Sequence, residues 1–137
     1  MSTKFTERAE KALDNALGLA QEFGHTYIGS EHILLALAED KDSRVAEILA
    51  RYGVDGEKIK NAIVEDDIGC GYKTQLTPRN LTPMTKKILL DAAKISEHYQ
   101  DCSINTEHIF LAICKGEESR ATIILHELSV DLEKILL

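Results

Sequence analysis

The chain has 137 residues, 44% hydrophobic and 28% charged, a balance that suits one compact domain with a core large enough to need no staples. Its formal net charge of -7 argues against a phosphate-tracking surface, so nucleic acid is not an expected partner. No apolar run approaches the roughly 20 residues that span a bilayer, and Met1 to Glu10 is polar with no signal-peptide core. The expectation is a cytoplasmic protein with no membrane partner. Cys70, Cys102 and Cys114 are odd in number and widely spaced, so free thiols are expected rather than disulfides or a metal site.

From the N-terminus, Thr6 stands where a helix cap belongs. Ala9, Ala12, Leu13, Ala16, Leu17, Ala20 and Phe23 then follow at three- and four-residue steps until Gly24, which suits a left-handed stop. Ser30 is the expected cap of a short second helix running to about Ala38, apolar on nearly every face and therefore deeply buried. A third helix is expected from near Ser43 to Tyr52, stopping at Gly53, and Asp55 caps a fourth that carries Ile59 and Ile63. Residues 66–80 hold Gly69, Gly71 and Pro78 and read as a linker.

The same order then returns. Thr82-Pro83 opens a helix bearing Ile88, Leu89, Ala92, Ala93 and Ile95, Thr106 caps the next, and further helices lie near Ser119–Leu128 and after Asp131. A shift of 76 positions lays Phe5–Asn61 on Leu81–Leu137 without a gap, and 19 of the 57 pairs are identical. Such duplication fixes the architecture before any finer detail. The fold class expected is all-α: a pseudo-twofold tandem repeat of two four-helix units, about eight helices, with repeat 1 over 1–65, the linker over 66–80 and repeat 2 over 81–137.

Signs of catalysis are sparse. There is no GxxxxGK[ST], GxSxG, HExxH or GxGxxG, and His25, His32, His98, His108 and His126 show no zinc-ligand spacing. No cofactor or metal is expected, and an enzyme built on the Glu-His pairs would need a constellation that the sequence does not group. Those pairs, Glu31-His32 and Glu107-His108, recur at the start of apolar helices. One reading makes the glutamates complements of the helix dipole and the histidines capping or core groups. The other places the glutamates beside the N-terminus of another helix, where a ligand carrying both a cation and an anion would fit. Likewise Thr6 and Arg8 form either an ordinary capped turn or, with the first-turn amides, a phosphate holder. Lys86-Lys87 suits a solvated face.

The segments Gly24-His-Thr-Tyr-Ile-Gly-Ser-Glu-His-Ile-Leu-Leu-Ala-Leu37, Phe5-Thr-Glu-Arg-Ala9 and Leu81-Thr-Pro-Met-Thr-Lys-Lys-Ile-Leu89 resemble the signature of Clp N-terminal domains, and the first looks most like the ClpC type. The resemblance covers essentially the whole chain. It implies a domain that precedes AAA+ ATPase modules feeding the ClpP protease and recruits protein substrates and adaptors of the MecA kind. It also implies phosphoarginine binding at one site per repeat: Thr6, Arg8 and Glu31 in the first, and Thr82, Lys86 and Glu107 in the second. In the second copy Met84 stands where the family commonly has arginine, and Gln100-Asp-Cys-Ser-Ile-Asn105 replaces the Gly-His-x-Tyr-Ile-Gly run. The first site is therefore expected to bind better. With no ATPase motif present, the chain is expected to be either a fragment of a longer protein or a free-standing accessory that docks on and regulates the Clp machine.

Overall fold

In the computed structural model, which describes residues 4–66 and 74–135, each copy contributes four helices. The first copy comprises α1 (Glu7–Glu22), α2 (Ser30–Glu39), α3 (Arg44–Ala50) and α4 (Gly56–Asp66). The second comprises α5 (Pro83–His98), α6 (Thr106–Lys115), α7 (Arg120–Glu127) and α8 (Leu132–Ile135). The all-α tandem-repeat class is what the structure has. Two short strands, β1 (Lys4–Phe5) and β2 (Ser103–Ile104), pair in parallel, joining the start of the first copy to the second. A period-two pattern could not have revealed strands of two residues.

Local chemistry explains most of the boundaries. Thr6, Ser43, Thr82 and Ser119 accept hydrogen bonds at Oγ from the amides of Ala9, Ala46, Thr85 and Thr122, so each satisfies a first-turn donor. Asp55 and Asp131 cap α4 and α8 through Oδ1. Two expected caps are displaced by one residue. Ser30 and Thr106 are already helical, with Gly29 and Asn105 in the cap positions. Asn105 Oδ1 takes the Thr106 amide at 2.8 Å, while Ser30 Oγ is turned to the other copy and accepts from the amide of Ala121 at 3.1 Å.

The core forms around α2 and α6. On α1 the buried residues are Ala9, Ala12, Ala16 and Ala20, small enough to let α2 approach closely. Every residue of α2 from Ser30 to Ala38 is buried, and α6 adds Ile109, Phe110 and Ile113. Residues 67–73 of the linker lie outside the described residues. Its later part packs along the first copy: Thr74 Oγ1 donates to the carbonyl of His25 at 2.6 Å, and the Leu76 amide donates to Gln21 Oε1 at 2.8 Å. A 3-10 turn at Pro78–Asn80 then leads into α5.

Candidate functional site

A seven-residue turn joins α1 to α2, so the two helices pack as an antiparallel hairpin. The start of α1 therefore lies at the end of α2. Arg8, on the first turn of α1, ion-pairs through Nη1 with Asp40 Oδ2 at 2.8 Å, just past the C-terminus of α2. Glu31, on the first turn of α2, is nine residues away, about 13 Å along the helix axis.

What the start of α1 does meet is the start of α6. The Thr6 amide donates to the carbonyl of Ile104 at 3.0 Å, and Thr6 Oγ1 donates to Asn105 Oδ1 at 3.3 Å. Two residues on, Glu107 is exposed on the first turn of α6, with no side-chain hydrogen bond or ion pair to any described residue. The amides of Glu7 and Arg8 have no intrahelical acceptor, because the first turn leaves them facing out of the helix end. The start of α1, with its two free amides and the Thr6 hydroxyl, thus meets the start of α6, which carries Glu107, while the Arg8 guanidinium is turned along α1 to Asp40.

The mirror arrangement joins α5 to α2. Ile28 bridges in parallel to Leu81, the Thr82 amide donates to the Ile28 carbonyl at 3.1 Å, and Thr85 Oγ1 donates to the same carbonyl at 3.1 Å. Thr85 is fully buried, so its proton is committed there. Thr82 Oγ1 then donates to Thr85 Oγ1 at 2.7 Å. Pro83 has no N–H, which leaves Met84 as the outward amide of that turn where α1 has two. Lys86 is exposed, whereas Lys87 pairs with Glu117 at 2.6 Å, a hydrogen bond that holds the Glu117 carboxyl below its ordinary range.

Glu31 differs sharply from Glu107. It is 1% exposed, accepts from Tyr27 Oη at 3.3 Å and lies 3.7 Å from Nε of Arg120 at the start of α7. Gly29 makes room for it, since a Cβ there would collide with Glu31 Oε1. At the position related to Tyr27 by the repeat stands Ser103, too short to hold Glu107 in the same way.

The structure thus sets the starts of α1 and α5 each against the opposite copy. Thr6 is bonded to the residues that precede Glu107 on α6, and Thr82 to Ile28, which precedes Glu31 on α2, while Arg8 is paired with Asp40. Asn105, Asp40, Tyr27 and Arg120 also belong to these surroundings. The one signal in the sequence was the identity of Arg44 with Arg120 across the repeat, which marks a position without saying what it faces.

The histidines act within the helix starts. His32 Nδ1 accepts from the Gly29 amide at 2.9 Å, so in the neutral ring Nε2 carries the proton and donates to His25 Nδ1 at 2.7 Å. His108 repeats this with Asn105 at 2.8 Å and donates from Nε2 to Asp101 Oδ2 at 2.7 Å. Among the described residues no group of three or more His, Cys, Asp or Glu is placed to hold a metal ion, and no helix is long and apolar enough to cross a membrane. A separate apolar cleft of about 260 Å³ is lined by Leu13, Leu17, Ile28, Leu81 and Leu89, with Glu10 and Asp14 also among its walls.

The family model for the Clp repeat (R) N-terminal domain matches residues 4–128. The chain is 37% identical over 138 residues to the ClpC/MecB negative regulator of genetic competence of Bacillus subtilis, covering 98% of this chain and 16% of that protein. It thus spans about one sixth of the length of the curated relatives it matches. Among solved structures it is similar to the N-terminal domain of ClpD from Arabidopsis thaliana, with a TM-score of 0.81 at 20% identity over 96% of this chain and 92% of that one. The ClpV N-domain in complex with a VipB peptide aligns with a TM-score of 0.70 at 23% identity over 96% and 82% of the two chains. At these identities the structural likeness concerns the fold.

Proposed function

The chain belongs to the Clp repeat N-terminal domain family, and from that premise we propose that it recruits substrates and adaptors for a ClpC-type ATP-dependent unfoldase working with ClpP, binding phosphoarginine-marked proteins. The observation that supports this reading is the meeting of the α1 turn with the start of α6, two residues before Glu107. A phosphoarginine joins a phosphoryl anion to a guanidino group through one P–N bond, so it needs an anion holder and a carboxylate side by side. The Glu7 and Arg8 amides, Thr6 and the Arg8 guanidinium supply the first, and the exposed Glu107 carboxylate supplies the second. The domain itself performs no chemistry in this reading. ATP hydrolysis belongs to AAA+ modules of the same or a partner chain, in the cytoplasm. Adaptors of the MecA kind are the other expected partners. The VipB peptide bound to the ClpV N-domain, which shares the fold, supports peptide recognition as a use of this architecture.

The second place, built from Thr82, Lys86 and Glu31, is the weaker candidate. It has one outward amide fewer and no arginine at position 84, and its carboxylate is buried against Tyr27 and Arg120. Calorimetric titration with phosphoarginine, against arginine and phosphate controls, tests the whole reading. Saturable binding of phosphoarginine alone is expected. Glu107→Ala should weaken the tighter site about 10- to 100-fold, the loss of hydrogen bonds to a charged group, and Glu31→Ala should affect it far less. No binding at millimolar ligand would sink the phosphoarginine role and leave adaptor docking to be tested by pull-down with a MecA-type protein. Equal losses from the two substitutions would overturn the ranking.

A further inference from the structure

We propose that Asp40 is an internal counter-ligand of Arg8, which competes with an incoming phosphoryl group for the guanidinium, and that it thereby tunes how strong an anion this site admits. The inference rests on the reading of Thr6, Arg8 and Glu107 as an anion site. Arg8 Nη1 and Asp40 Oδ2 lie 2.8 Å apart, with the side chains 44% and 31% exposed, so the pair is open to solvent and to exchange of partners. The Asp40 backbone is fixed, its carbonyl accepting from the Ser43 amide at 3.0 Å as the chain turns into α3. The carboxylate is therefore presented to Arg8 from a held position, not from a loose tail.

The repeat supplies an independent observation. At the positions related by 76 residues, Arg8 corresponds to Met84 and Asp40 to Gly116, so the second copy lacks both charges together. Neither copy keeps one member without the other. Of the carboxylates around the cleft beside Arg8, which also include Glu7, Glu39 and Asp42, Asp40 is the one ion-paired with it. Arg8 has five N–H donors in a planar fork, and Asp40 neutralises its charge through one of them. A doubly charged phosphoryl group offers more charge and more acceptors than a single carboxylate and displaces it. A peptide carboxylate gains little over Asp40 and is disfavoured.

The test is calorimetric titration of the intact domain with phosphoarginine and, separately, with acetate as a carboxylate probe. Asp40→Asn should tighten phosphoarginine about two- to five-fold, the range expected of an exposed ion pair, and should strengthen acetate binding by a comparable factor. Asp42→Asn, which removes the same charge from a neighbouring position, should have a smaller effect. In an Arg8→Ala background the gain from Asp40→Asn should vanish, with circular dichroism verifying that each variant is folded. If the wild type binds phosphoarginine but Asp40→Asn leaves the affinity unchanged or weakens it, Asp40 is a support for Arg8 and the inference is overturned alone. If neither wild type nor Asp40→Asn binds phosphoarginine, both the inference and the site reading fall.

Discussion

Gly29 has no side chain where one would strike Glu31 Oε1 and lie 3.1 Å from Tyr27 Cε2. Its backbone is extended, so the constraint is space and not conformation. Gly29→Ala should cost about 1–3 kcal/mol, as overpacking does, measured by urea denaturation, and should cost less in a Glu31→Ala background where the clash is gone. Thiol chemistry gives a second check at this scale. Cys114 is 7% exposed and burial pushes its thiol up to about 12, whereas Cys102 is exposed. The folded state thus favours protonated Cys114. That contribution is complete below the ordinary thiol value of 9.0 and is lost as pH rises towards about 12. At pH 8 iodoacetamide should label Cys102 and spare Cys114 until the protein is unfolded, as peptide mass mapping would read. Labelling of Cys114 in the native protein would contradict the burial.

Among the elements, the two copies end their first and third helices alike but with different residues. Gly24 and Gly53 have φ of 72° and 71°, and their counterparts Gln100 and Ser129 have 59° and 64°. A left-handed residue with a side chain costs roughly 1–2 kcal/mol, against 0.5–1 kcal/mol for the extra freedom that glycine loses on folding. Gln100→Gly and Ser129→Gly should therefore each raise stability by about 0.5–1 kcal/mol, checked by the urea midpoint, while Gly53→Ala should lower it. These stops were legible in the first copy, where glycine announces them, and only by analogy in the second. The displaced caps at Ser30 and Thr106 show why propensity misleads by one residue. A hydroxyl suits a cap, but an asparagine just before it, or a neighbour in the other copy, can claim the bond.

For the whole molecule the decisive contacts cross from one copy to the other. Thr6 to Ile104, Thr82 to Ile28 and Ser30 to Ala121 are all bonds between residues more than 50 positions apart, and α2 packs against both α6 and α7. Neither copy can bury its central helix alone. Despite the duplication, urea unfolding followed by far-UV circular dichroism and by tyrosine fluorescence should give one coincident transition. Two separated transitions would show that the copies unfold independently. The same crossing sets the start of each copy's first helix against the other copy.

By itself the sequence determined the duplication, the all-α class and most helix boundaries, because all of these are written in spacing and local hydrogen-bonding chemistry. Only the tertiary structure decided which helix starts meet. A hairpin sends α1 and α2 in opposite directions, so Arg8 reaches Asp40 and is separated from Glu31 by the length of α2. The parallel bridges at Phe5 with Ile104 and at Ile28 with Leu81 then bring each helix start to the opposite copy. It also decided that Glu31 is buried and held while Glu107 is open, although the two stand in identical Glu-His contexts. Tyr27 against Ser103 and Gly29 against Asn105 are the differences beside the two glutamates, and they have a consequence only once the chain is folded.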